Sequence, residues 1–74
     1  MKTYYFTYGS NHKDAKGQPL GKSFTPITAF SPATARAEIV RARGDQWAFV
    51  YYSSEEAGID TFHLHFRSLE SVTL

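Results

Sequence analysis

The stretch FTPITAFSPATARAEIVRARG, Phe24 to Gly44, decides the fold, because its hydrophobic period changes within it. Phe24 to Phe30 reads as a strand, rich in aromatic and β-branched residues. Pro26 cannot donate to a ladder, so this strand is expected at a sheet edge or at a bulge. Ser31-Pro32 then starts a helix: the serine side chain accepts an orphan backbone N–H, and proline at the first helical position has none to satisfy. Ala33, Ala35, Ala37 and Ala42 are strong helix formers, and Gly44 ends the helix after Arg43. At 100° per residue, Ala35, Ile39, Ala42 and Pro32 share the inward face. Glu38 and Arg41 point to solvent, while Arg36 and Arg43 fall together on the flank. Their stems can lie along apolar surface there while the charged heads reach water.

Outward from this unit the chain reads as strands. Thr3 to Tyr8 is aromatic or β-branched throughout, with Tyr4, Phe6 and Tyr8 on one face and Thr3, Tyr5 and Thr7 on the other. Gly9 to Gly21 is rich in glycine and lysine and nearly free of apolar residues, which predicts a long exposed hairpin loop. Trp47 to Tyr52 is the most strand-like run and is expected to be central, with Trp47, Phe49 and Tyr51 on one face. Ser53 to Gly58 suits a single helical turn. Phe62 to Phe66 alternates again, with Phe62, Leu64 and Phe66 inward and His63 and His65 outward; the segment from Ser68 to Leu74 adds a short strand or frays. The order β-β-α-β-β predicts one α+β domain over residues 1–74, a small antiparallel sheet of three to four strands with one helix on one face. One helix leaves the second face uncovered, with Tyr5 and Tyr52 beside Thr3, Thr7, Ala48 and Val50. Such a face invites a homodimer or a partner protein.

Composition narrows the chemistry. The 74 residues contain no cysteine, which removes disulfides, thiolate metal sites and cysteine nucleophiles. The opening residues form no apolar signal segment and no run is long enough to span a membrane, so a cytoplasmic setting is expected. Net charge is +1, but the residues through Arg43 carry +5 and those from Gly44 onward −4. That balance falls short of a dedicated nucleic-acid binder, although Lys13, Lys16 and Lys22 with Arg36 and Arg43 could grip phosphates while Tyr5 or Tyr52 stacks on bases. A small nucleic-acid-binding regulator is therefore the alternative reading. His63 and His65 at i, i+2 could supply two metal ligands, but no third is committed, so no metal or cofactor is expected. No spacing implies a catalytic triad, and adjacent Glu55 and Glu56 diverge in any regular structure.

Two resemblances bear on function. Tyr8-Gly9-Ser10-Asn11 is similar to the turn that opens γ-glutamylcyclotransferase-like enzymes. That family, however, builds a closed barrel from a longer chain with an acidic catalytic residue well downstream, and the match covers about six residues; no enzyme is expected. The opening Tyr4-Tyr5-Phe6-Thr7-Tyr8-Gly9, the Ala35-Arg36 helix start, and Gly44 to Tyr51 followed by Glu55 to Gly58 resemble small accessory proteins of bacteriophages and mobile elements. The resemblance implies a non-enzymatic protein that binds a host protein complex, as anti-CRISPR and other anti-defence inhibitors do. The residues expected to carry such binding are Arg36 and Arg43, on one line about 10.5 Å long by helical rise, with Lys13, Lys16, Tyr5 and Tyr52.

Overall fold

The computed structural model describes residues 1–74 as β1 (Lys2–Thr7), β2 (Ser23–Ala29), α1 (Pro32–Arg43), β3 (Phe49–Tyr51), α2 (Ser54–Ala57), β4 (His65–Phe66) and α3 (Leu69–Val72). The α+β class and the element order through β4 are as expected. The strands form one sheet in the order β3-β1-β2-β4. β1 is antiparallel to β2, with Tyr4 opposite Ile27 and Phe6 opposite Thr25, and antiparallel to β3, with Phe6 opposite Val50. β4, however, runs parallel to β2, with Phe24 opposite Phe66. The sheet is mixed rather than antiparallel, and two single-turn helices join α1. No helix is long and apolar enough to cross a membrane.

α1 follows local chemistry closely. The Ser31 side chain accepts from the Thr34 N–H at 3.1 Å, Pro32 opens the first turn, and Gly44 closes it at φ 65° while donating to the Val40 carbonyl at 2.7 Å. Ala35, Ile39 and Ala42 are buried, Arg41 is exposed, and Glu38 is only half exposed. Ala35 and Ile39 pack on Tyr4, Phe6, Ile27 and Ala29 to form the main core. A smaller core of Tyr8, Leu20 and Val72 adjoins it, with Trp47 and Leu69 against both.

Four strand expectations are corrected by pairing. Trp47 to Tyr52 is not central: β3 is a three-residue edge strand. Trp47 stands outside it, its N–H bonded to Asp45 O and its indole to Gly44 O, and its ring meets Phe6 edge-on at 5.2 Å. Because Val50 pairs with Phe6, it is Val50 that faces α1, while Phe49 and Tyr51 face away beside Thr7 and Tyr5. Tyr52 follows Val50 to the α1 side, where it meets Tyr4 in a T-shaped contact at 5.5 Å. Tyr5 and Tyr52 are thus on opposite faces.

Second, β2 is interior, yet Pro26 costs it nothing there. The carbonyls of Lys22 and Phe24 accept from His65 N–H and Arg67 N–H, so alternate residues of β2 point toward β4. Pro26 would be next, and β4 has already ended. Third, Phe62 to Leu64 form no strand. Gly58 and His63 adopt φ 72° and 53°, and Phe62 and Leu64 donate back to Gly58 O and Ile59 O. A Cβ at Gly58 would lie 2.5 Å from the Phe62 ring, so this turn requires glycine. Fourth, Phe66 is not inward; it is 63% exposed on the face away from α1.

The expected exposed loop is folded onto the body. The Asp14 carboxylate accepts from Lys16 N–H at 2.9 Å and Gln18 N–H at 2.8 Å, Lys13 bridges Pro19, and Leu20 is fully buried. The C-terminal segment is also docked: Ser68 caps α3, Val72 is buried, and Leu74 N–H donates to Ala42 O at 2.9 Å.

Candidate binding surface

β3 and β4 point the same way at opposite edges of the sheet, so the chain between them has to cross a face from the end of one to the start of the other. α1 and α3 take one face. The crossover, Tyr52 to Leu64, takes the other, with α2 packed on β1 and β3. Ser53 starts α2 by accepting from Glu56 N–H at 3.1 Å, and Ala57 is buried beneath it. The second face is therefore partly covered, which corrects the expectation of a bare sheet.

The uncovered remainder is aromatic. Tyr5, Phe24 and Phe66, from β1, β2 and β4, form a chain of rings with centroids 6.2 and 6.1 Å apart. Phe49 and Tyr51 add a tilted pair at the β3 edge. Phe62, on the crossover, is 68% exposed. Where the crossover leaves the sheet it bounds an open cleft of about 510 Å³, lined by Thr7, Lys22, Tyr51, Ala57, Phe62 and Leu64 among others.

The residues singled out from the sequence do not share this surface. Tyr5 lies on it, half-buried against Phe24. Tyr52 is 60% exposed on the α1 side. Arg36 is exposed there too, its guanidinium 5.8 Å from the centre of the Trp47 ring. Lys13 and Lys16 are exposed at the folded loop, where their backbones, rather than their ammonium groups, make the recorded contacts. Arg43 is removed from any binding role. It is 3% exposed, and its Nε, Nη1 and Nη2 donate to the carbonyls of Gln46, Val72 and Lys13 at 2.7, 2.7 and 2.8 Å. Its guanidinium also lies 5.2 Å from the centre of the Tyr8 ring. Burial lowers its pKa, and burial likewise raises that of Tyr8, whose hydroxyl shares a 2.5 Å hydrogen bond with Thr25. The helical line from Arg36 to Arg43 runs from surface to interior.

Phe24 and Phe66 were missed as site residues, and the sequence offered Lys22 only as part of a phosphate grip. Alternation along β2 could have placed Phe24 opposite Thr25 and Ile27; nothing local could have placed Phe66 beside it. His63 sits in a left-handed turn rather than on a strand with His65, so the i, i+2 ligand geometry is not formed. No three His, Asp or Glu side chains gather where they could hold a metal ion.

The one salt bridge, Arg67 to Asp14 at 2.8 Å, ties the folded loop to the segment after β4. The Arg67 hydrogen bond, followed by the Gln18 N–H, holds the Asp14 carboxyl below its ordinary pKa. A carboxylate lowered in the folded state adds stability above its unfolded pKa, and that stability is lost as pH falls through the folded value. Asp14→Asn is expected to flatten the acid limb of stability, read as the denaturant midpoint from about pH 5 down to about pH 2. An unchanged slope in the variant would show that Asp14 is not its source.

Comparison with protein-family models, with curated proteins and with solved structures finds no match to this chain.

Proposed function

We propose that this is a non-enzymatic binding protein that engages a partner protein through the sheet face opposite α1. The observation that carries this reading is the chain of rings running across that face from half-buried Tyr5 and Phe24 to exposed Phe66. Aromatic side chains are enriched in protein interfaces, and a few of them usually carry most of the binding energy. The resemblance to phage accessory proteins makes a host protein complex the partner, with inhibition of a defence system the consequence of occupying it. The same apolar face also suits a second copy of the chain.

The test uses Phe66→Asp, which changes an exposed ring and leaves both cores alone. For a partner recovered from host lysate by the tagged chain, the variant is expected to bind roughly thirtyfold more weakly, the loss of about 2 kcal/mol typical of an aromatic hot spot. Undiminished binding would refute this reading. Affinity for single-stranded oligonucleotides that falls steeply with salt and is lost in the same variant would replace it with the nucleic-acid-binding one. Light scattering at micromolar concentration separates a homodimer from a monomer awaiting its partner.

A further inference from the structure

The cleft beside the crossover joins two kinds of lining. Ala57, Phe62 and Leu64 give it an apolar wall, and Phe62 is largely exposed although it is the largest of the three. Thr7, Tyr51 and Lys22 bring two hydroxyls and an ammonium to the same cleft. None of these three side chains is engaged in a hydrogen bond, and the only salt bridge in the protein lies elsewhere, between Arg67 and Asp14. The cleft thus offers hydrogen-bond donors and one cation with no internal acceptor, next to a ring with no covering group. Ligand sites commonly have this make-up, a mainly apolar wall with a few unpaired polar groups that set orientation.

We propose that this cleft receives an acidic peptide segment of the partner protein, with a carboxylate at Lys22 and a neighbouring apolar side chain against Phe62 and Leu64. The inference rests on the protein-binding reading and names the chemistry of what is bound. Charge selects the occupant. Lys22 is the only charged residue among those lining the cleft, which matches a single carboxylate.

The experiment titrates two capped tripeptides, acetyl-Phe-Glu-Phe-amide and acetyl-Phe-Gln-Phe-amide, into the full ¹⁵N-labelled chain and into its Lys22→Gln variant. The expected result is amide shift changes at Lys22, Tyr51 and the 57–64 segment with the glutamate peptide. Affinity should fall about tenfold when either the peptide carboxylate or the Lys22 ammonium is neutralised, about 1.4 kcal/mol for the pair. Lys22 is exposed, so its variant keeps the fold, and its spectrum checks this directly. Equal affinity for the two peptides, no loss in Lys22→Gln, shifts centred elsewhere or no binding would each overturn the proposal. Partner capture by Phe66→Asp, measured in parallel, separates the two readings. Capture lost in Phe66→Asp with no peptide response overturns the cleft assignment alone, whereas capture unchanged with a normal peptide response overturns the aromatic face and keeps the cleft.

Discussion

Replacing Arg43 with Gln is expected to destabilise the fold by about 3 kcal/mol or more, enough to lower the melting temperature by roughly 12–24 °C in a domain of this size. The guanidinium is a clasp with three separate ends. Its Nη1 holds the Val72 carbonyl of α3, its Nη2 the Lys13 carbonyl of the folded loop, and its Nε the Gln46 carbonyl just beyond α1. An amide side chain is too short and has too few donors to serve all three; leaving the Val72 carbonyl, whose bond is buried, unpaired costs roughly 1–3 kcal/mol, and the part-buried Gln46 and Lys13 carbonyls add less. Arg43→Lys is expected to rescue little, because one ammonium cannot reproduce the planar fork that reaches three acceptors. Arg36→Gln serves as the control, with a change within about 0.5 kcal/mol, since that guanidinium is exposed and only overlies Trp47. Urea denaturation of the three variants checks the order. An Arg43→Gln protein as stable as Arg36→Gln would show that the clasp contributes nothing.

Leu20→Ala is the second substitution with a large expected effect, a loss of about 2–5 kcal/mol. Leu20 is 0% exposed and packs with Tyr8 and Val72. Removing it opens a cavity between the folded loop, Tyr8 and α3, all of which Arg43 also touches. The two sites share neighbours, so their effects are expected not to add: once either is lost, α3 and the loop are already loosened, and the second substitution costs less. Hydrogen exchange of the Leu20 and Leu74 amides, bonded to His12 O and Ala42 O, reports the loosening directly. Unchanged protection in Leu20→Ala would mean that the loop folds independently of its leucine.

These two residues also mark where local reading stops. Ser31, Pro32, the alanines and Gly44 act on the backbone within one turn of themselves, so α1 was legible from end to end. The alternation of Tyr4, Phe6 and Tyr8 against Thr3, Tyr5 and Thr7 identified the buried face of β1 correctly, because one face carries three rings and the other two threonines beside one tyrosine. Trp47 to Tyr52 has no such alternation. Every residue is apolar or aromatic, so either parity is acceptable locally, and a one-residue change of register exchanges the faces of the strand. Pairing of Val50 with Phe6 chose between them. Likewise, Leu20, the one large apolar residue of the loop, carries no period from which to infer that it is buried.

The sequence by itself determined the α+β class, the caps and limits of the main helix, the inward face of β1 and the glycine-ended turn of α2. Each depends on interactions between residues a few positions apart. Tertiary structure alone decided the fate of Arg43, whose flank position on α1 is equally compatible with solvent and with the interior until Val72 and Lys13 bring their carbonyls to it from 29 and 30 residues away. It likewise decided that β4 lies parallel to β2, which sends the crossover over the second face and leaves the rings of Tyr5, Phe24 and Phe66 as the part it does not cover. The candidate surface and the Lys22 cleft exist only because strands distant in sequence become neighbours, and no local pattern encodes that adjacency.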